Sequence, residues 1–175
     1  MEGFRDNDQS FATKALHAGQ DPEQWSSMAV VPPISMSTTF KQYGPADFKQ
    51  YEYGRSGNPT RDCLEAALAA VDGAKFAFTF SSGLAATSTI TQLLKAGDHL
   101  IAMDDLYGGT NRYFRRVASN MGIETSFVDA TNPQKVAEAI KPNTRMVWIE
   151  TPTNPTLKVT SLNSRKKLEN TVKIL

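Results

Sequence analysis

Residues 80–87 read Phe-Ser-Ser-Gly-Leu-Ala-Ala-Thr and join a strand pattern to a helix pattern. Residues 76–80 have the alternating aromatic composition of a strand, and residues 85–94 are typical of a helix. A serine–glycine turn at the start of a helix leaves backbone N–H groups unpaired, and these groups can bind an anion. The turn by itself fits an anion site and an ordinary strand–helix connection equally well.

Strands and helices alternate on both sides of this turn. Helices are predicted at residues 61–71, 85–94, 111–120 and 133–140, and strands at 76–80, 99–103, 124–128 and 146–149. We expect Gly73, Gly97 and Gly122 to cap the ends of helices. The alternation predicts βαβ units and therefore an α/β domain with a mostly parallel sheet.

The first part of the chain has no comparable pattern. Residues 1–55 contain Pro32-Pro33 and scattered aromatic residues, which indicates an extended arm with short helices that packs onto a neighbour. We divide the chain into this arm, a partial domain at residues 56–158 and a tail at residues 159–175.

Composition excludes several classes of function. The chain has 175 residues, of which 40% are hydrophobic, and a net charge of +1, so it suits a globular core and predicts no nucleic-acid or membrane partner. No apolar run has the length of a signal peptide or membrane span, and we expect a cytoplasmic protein. The single cysteine, Cys63, is predicted to be a packed thiol, and His17 and His99 are predicted to be structural, with no metal site.

Three further segments carry residue types suited to ligand binding. Residues 53–61 read YGRSGNPTR, residues 104–110 read DDLYGGT, and residues 150–156 read ETPTNPT. The last two follow predicted strands, at the end where open α/β sheets bind ligands. Together with the turn, these segments resemble the γ-subfamily of pyridoxal-phosphate (PLP) enzymes of sulfur amino-acid metabolism, and the resemblance runs from about residue 11 to residue 158.

The resemblance implies a fold and an activity. The fold is the large domain of fold-type I PLP-dependent transferases, here incomplete and preceded by the arm. The activity is trans-sulfuration: cleavage of L-cystathionine to cysteine, 2-oxobutanoate and ammonia by a homotetramer, with hydrogen sulfide release from L-cysteine as a side activity. The sister activities of cystathionine synthesis, cystathionine β-cleavage and methionine γ-cleavage stay open.

The resemblance also assigns roles to residues. Gly83 and Leu84 would donate backbone N–H bonds to the PLP phosphate, and Tyr53 and Arg55 would complete the phosphate site from an adjacent subunit. Tyr107 would stack on the cofactor ring with its phenol near the reacting carbons, which makes it the catalytic candidate. For Arg55 the alternative is a surface salt bridge, and for Tyr107 it is a packing role.

Three more residues follow from the same comparison. The resemblance places Arg112 in the substrate pocket together with Arg55 and Tyr107. Its position in a predicted helix also permits an ordinary ion pair. Asn154 would lie near the ring oxygen of the cofactor and the substrate carboxylate. Glu150 is either part of this site or a buried structural carboxylate.

The resemblance stops near Val159, before two residues that the family chemistry needs. The aspartate that binds the pyridinium nitrogen and the lysine that forms the Schiff base are both missing from the sequence. Residues 11–14 read FATK and imitate the lysine motif, but they lie in the arm, where the family has a noncatalytic stretch. We therefore expect a truncated chain with a divergent tail that is inactive alone and holds PLP noncovalently at best. Residues 76–80 should also lose their neighbouring strand and expose edge groups.

Two alternatives of other classes remain. The first is a noncatalytic fragment that associates with full-length subunits or does not fold stably. A nucleotide-binding Rossmann domain would also use the phosphate turn, and Asp104 or Asp105 would mimic its ribose ligand. This reading is disfavoured because no G-x-G-x-x-G follows the first strand.

Overall fold

The structure, a computed structural model, describes residues 10–160. These residues form two units, which divide between Phe80 and Ser81, and we describe each unit by itself. The predicted segment boundaries at residues 55 and 158 stay predictions. Of the predicted tail, all but Val159 and Thr160 lie outside the described residues.

The first unit contains short helices and a small hairpin. Its elements are α1 (Phe11–His17), a 3-10 turn (Pro22–Gln24), β1 (Gln42–Gly44), β2 (Asp47–Phe48) and α2 (Pro59–Asp72). Strands β1 and β2 pair antiparallel, and α1 packs against α2. The predicted helix at residues 61–71 is thus confirmed, with two more residues at its start and one at its end.

Local sequence explains where α2 begins and ends. The Asn58 side chain accepts hydrogen bonds from the N–H groups of Thr60 and Arg61, and Pro59 occupies the first helical position, where no N–H is needed. Gly73 ends the helix with a φ of +63°, a left-handed conformation that glycine adopts without strain. The predicted glycine cap at Gly73 is therefore confirmed.

Residues 76–80 do not form the predicted strand. The segment pairs with no strand among residues 10–160, and it is held instead by Glu65 of α2, which accepts from the N–H and hydroxyl of Thr79. Phe76, Phe78 and Phe80 are exposed. The strand prediction was wrong because strand geometry needs a hydrogen-bonded neighbour, whose absence we had expected.

The second unit is built on a three-stranded parallel sheet. Its elements are α3 (Gly83–Thr91), β3 (His99–Met103), α4 (Gly108–Tyr113), β4 (Glu124–Val128), α5 (Pro133–Glu138) and β5 (Thr144–Trp148). The strand order is β4-β3-β5, and both pairings of β3 are parallel. The predicted α/β class with a parallel sheet is confirmed, and β5 begins two residues earlier than predicted.

The core of this unit surrounds the central strand. Every residue of β3 is buried, as a strand flanked on both edges and covered on its faces should be. Phe114 and Ala118 are fully buried beside it, and Phe114 packs edge-to-face on Trp148 at 5.4 Å between ring centroids. The loops that follow the strands therefore extend from a closely packed core.

The predicted helix at residues 111–120 begins earlier and changes its geometry. After α4 the chain widens into a π-helical turn at Phe114–Ala118 and then tightens into a 3-10 turn at Ser119–Met121. Gly122 ends it with a φ of +78°, as predicted. The predicted cap at Gly97 is wrong, since α3 ends at Thr91 with Gln92 as its C-cap, and Gly97 lies in a later turn.

His99 is a buried histidine at the centre of the sheet. Its Nδ1 lies 2.7 Å from the Thr144 hydroxyl and its Nε2 lies 2.9 Å from the Ser126 hydroxyl, which ties β3 to both neighbouring strands. Burial, with a smaller contribution from the charge of Lys141, lowers the pKa of His99. The imidazole is therefore neutral near neutral pH and structural, as predicted.

Candidate cofactor site

A cavity of about 550 Å³ opens in the second unit at the start of α3. This volume lies within the range of pockets that bind small ligands. Two aromatic residues line it: Tyr107, in the loop after β3, and Trp148, the last residue of β5. The lining residues are Ser82, Gly83, Leu84, Ala86, Thr87, Tyr107, Thr110 and Trp148.

The start of α3 presents free N–H groups to this cavity. The Ser82 hydroxyl accepts from the Ala85 N–H at 3.1 Å and so caps the helix. The N–H groups of Gly83 and Leu84 have no acceptor within residues 10–160. A β-carbon on Gly83 would meet no atom within 4 Å, so the space above this turn is open. The turn therefore offers two unpaired backbone donors of the kind that bind anions, and the phosphate role of Gly83 and Leu84 stays a prediction.

Tyr107 contributes an accessible aromatic ring to the same cavity. The residue is 52% exposed, so it is not a core packing residue. A β-carbon on Gly109 would lie 2.6 Å from Cε1 of Tyr107 and 3.3 Å from Cδ1 of Leu84. The ring can occupy this position beside the start of α3 only because residue 109 is glycine.

Glu150 connects the two aromatic residues of the cavity. Its Oε2 accepts from the backbone N–H of Tyr107 at 3.0 Å, and its Oε1 accepts from the indole N–H of Trp148 at 3.4 Å. The sequence left open whether Glu150 is structural, and the structure gives it a positional role beside the cavity. Trp148 and Gly109 were missed, although an aromatic residue at the end of a strand and a Gly-Gly pair after a tyrosine are both visible in the sequence.

The loop after β5 is fixed to the loop after β3. The Asp105 carboxylate accepts from the hydroxyls of Thr153 and Thr156 and from the Thr156 N–H, and these hydrogen bonds lower the pKa of Asp105. Lys158 bonds both oxygens of Asp104 at 3.0 Å. Both aspartates are thus occupied in loop anchoring, which speaks against the ribose-binding role of a Rossmann domain.

Two predicted residues of this unit do not reach the cavity. Asn154 lies in the anchored loop, is exposed, and is not among the residues that line the cavity. Arg112 is exposed on α4 and forms no ion pair with any residue from 10 to 160. Their roles toward cofactor and substrate stay predictions.

The two remaining predicted residues belong to the first unit. The Arg55 guanidinium lies 5.0 Å from the centre of the Tyr53 ring, and Arg61 holds this loop through the carbonyl oxygens of Gly54 and Arg55. No carboxylate within the described residues pairs with Arg55, so the salt-bridge alternative finds no support. The guanidinium is stacked, exposed and available to an anion.

Other candidate chemistry is accounted for by packing. Cys63 is buried in α2, and burial together with the charge of Asp62 raises its pKa, so the thiol is packed as predicted. Within residues 10–160, no group of three or more histidine, cysteine or acidic residues is arranged to bind a metal. No helix in the same part of the chain has the length and hydropathy needed to cross a bilayer.

The arrangement described above is that of an enzyme domain built to bind a phosphorylated, flat cofactor. The chain belongs to the Cys/Met metabolism PLP-dependent enzyme family, whose model matches residues 12–175. The cofactor of this family is pyridoxal 5'-phosphate. The family model also matches residues 159–175, which we had predicted to lie beyond the resemblance.

Individual relatives agree with this assignment. The chain is 65% identical over 158 residues to the cystathionine gamma-lyase of Homo sapiens, an alignment that covers 90% of this chain and 39% of the relative. The crystal structure of metB from Corynebacterium glutamicum matches with a TM-score of 0.90 and 43% identity, over 98% of this chain and 45% of that one. The structure of cystathionine gamma-lyase from Lactobacillus plantarum complexed with L-serine matches with a TM-score of 0.86 and 38% identity, over 92% and 42%.

The chain is much shorter than these relatives. It spans about 40% of the length of the curated proteins that it matches. Family and fold are therefore established for this chain, and the activity, substrate and partners of the whole protein are matters for proposal.

Proposed function

We propose that this chain provides the phosphate and ring contacts of the PLP site in a carbon–sulfur lyase that cleaves L-cystathionine. One observation carries the proposal. Two unpaired N–H groups at the start of α3 and the exposed ring of Tyr107 line one cavity, in a chain of the PLP-dependent family.

The residues of the cavity fit the cofactor part by part. A phosphate would accept from the N–H groups of Gly83 and Leu84, where the dipole of α3 also favours negative charge. The pyridine ring would lie against Tyr107, since aromatic rings stack favourably in offset arrangements. Trp148 and Leu84 would exclude water from the ring, because both present apolar surface to the cavity.

Bound PLP supplies an electron-withdrawing ring that stabilises negative charge at the substrate α-carbon. This chain contributes the position of that ring and a phenol, since the hydroxyl of Tyr107 is the titratable group among the cavity-lining residues. These residues include no lysine and no aspartate. Residues 10–160 would therefore hold PLP through noncovalent contacts, and the chain alone would not turn over substrate.

The remaining site residues suggest a neighbouring subunit. The Arg55 guanidinium is exposed and stacked on the Tyr53 ring. This position suits it to bind an anion in the site of another copy of the chain. The arm in the same unit exposes four apolar side chains that a neighbour would cover: Val30, Val31, Ile34 and Met36. We accordingly propose a homo-oligomer, a tetramer by family resemblance, located in the cytoplasm, with hydrogen sulfide release from L-cysteine as a side activity.

A noncatalytic role is the second candidate. The absence of lysine from the cavity lining favours it, since the chain would then bind PLP or full-length subunits without performing catalysis. Co-expression with a full-length relative followed by size-exclusion chromatography tests this role. A mixed oligomer supports it, and strict separation of the two chains contradicts it.

The primary experiment is a PLP titration of the purified chain and of Gly83→Ala. The added methyl group enters the open space above the phosphate turn, so we expect PLP affinity to fall at least about tenfold. The stability of the variant should not fall, because no atom lies within 4 Å of the new carbon. Failure of the unmodified chain to bind PLP, or equal affinity in the variant, would contradict the proposal.

A further inference from the structure

Tyr107 and Trp148 line the cavity from the loop after β3 and from the end of β5, and neither side chain is fully buried. Tyr107 ends the loop after β3 as the N-cap residue of α4, and about half of its surface is exposed. Trp148 ends β5 and is partly buried. A flat ligand between or against such rings requires that their separation be maintained before the ligand arrives.

One carboxylate reaches both residues. Glu150 accepts from the backbone N–H of Tyr107 with one oxygen and from the indole N–H of Trp148 with the other. No lysine or arginine among the described residues forms an ion pair with Glu150. Its hydrogen-bonding capacity is thus directed to these two donors.

We propose that Glu150 is a positioning residue that sets the arrangement of Tyr107 and Trp148 and so prepares the cavity for a flat aromatic ligand. The inference rests on the proposed function for the identity of that ligand, which is PLP. A carboxylate suits the task because both of its oxygens accept hydrogen bonds. A glutamine of the same shape has only one acceptor oxygen, and its NH₂ group would face one of the two N–H donors.

The first test uses no ligand. In two-dimensional ¹H–¹⁵N spectra, Glu150→Gln should shift the indole signal of Trp148 and the amide signal of Tyr107. Glu138→Gln is the matched control, because Glu138 is an exposed carboxylate of α5 that accepts a single side-chain hydrogen bond from Gln134. Unchanged Trp148 and Tyr107 signals in Glu150→Gln would overturn the proposal.

The second test measures ligand binding by tryptophan fluorescence. The chain has two tryptophans, so Trp25→Phe leaves Trp148 as the sole reporter. In this background we expect PLP to quench the emission, with an affinity about tenfold weaker in Glu150→Gln and unchanged in Glu138→Gln. Equal affinity in both variants overturns the positioning role.

The two tests separate this inference from the proposed function. If the unmodified chain does not bind PLP, the proposed function is contradicted. The ligand-free spectra still decide whether Glu150 positions Tyr107 and Trp148. A melting temperature of Glu150→Gln close to that of Glu138→Gln shows that a change in affinity does not come from unfolding.

Discussion

The ring of Tyr107 occupies the space that a side chain on Gly109 would fill. A β-carbon at Gly109 would come within 2.6 Å of the ring, which is closer than such atoms approach in proteins. The glycine therefore leaves room for the tyrosine ring at this position, and the ring in turn lines the cavity. This relationship explains why a residue that does not line the cavity still controls its shape.

Gly109→Ala should move the ring and weaken PLP binding about tenfold or more, because the ring must leave its position to admit the methyl group. Gly108→Ala is the control, since a β-carbon there meets no atom within 4 Å. Affinities from fluorescence titration check the difference. Equal loss in both variants would show that helix α4, rather than ring position, is responsible.

Ser82→Ala should destabilise the second unit by about 1 kcal/mol, because the Ala85 N–H loses the hydroxyl that caps α3. Ser81→Ala should have little effect, since Ser81 is exposed and makes no side-chain hydrogen bond within the described residues. Chemical denaturation of the two variants measures the difference. Equal losses in the free energy of unfolding for the two variants would contradict the prediction.

The second unit should lose stability as the pH falls through about 6.5, the ordinary pKa of histidine. Burial lowers the pKa of His99 in the folded state, so below that pH the unfolded chain takes up a proton that the folded chain does not. His99→Gln should flatten this dependence, whereas His17→Gln, at an exposed position, should not. Denaturation midpoints at several pH values test it, and an NMR titration of the His99 ring reports its pKa directly.

Gly19→Ala should destabilise the first unit more than Gly73→Ala. Both glycines have a positive φ, which costs alanine about 1–2 kcal/mol. A β-carbon on Gly19 would in addition lie 2.5 Å from Cβ of Ala66, whereas Gly73 faces open space, so the Gly19 variant should lose about 1–3 kcal/mol more. Thermal unfolding measures both, and equal losses would mean that α1 and α2 can separate without cost.

The sequence predicted those elements that depend on local pattern. Strands β3 and β4 match their predicted ranges because each is a short strand-like run bounded by turn residues. The early start of β5 was not predicted, because it depends on the bond between Thr144 and His99, which are far apart in sequence. Residues 76–80 failed for the related reason that no strand among residues 10–160 pairs with them.

The candidate site divides in the same way. Gly83, Leu84 and Tyr107 were found from motifs and lie together at one cavity. Asn154 and Arg112 are exposed and are not among the residues that line it, which the motifs alone could not show. Glu150 was left open because a carboxylate at the end of a strand reveals its hydrogen-bond partners only in three dimensions.

The three exposed phenylalanines of residues 76–80 have a practical consequence for handling the protein. Phe76 and Phe78 stack on each other at 6.5 Å, and the segment lies outside any sheet. Extended backbone with aromatic side chains is the material from which intermolecular sheets form. Concentrated samples should therefore scatter light, and a charged replacement at Phe78 should keep the chain in solution.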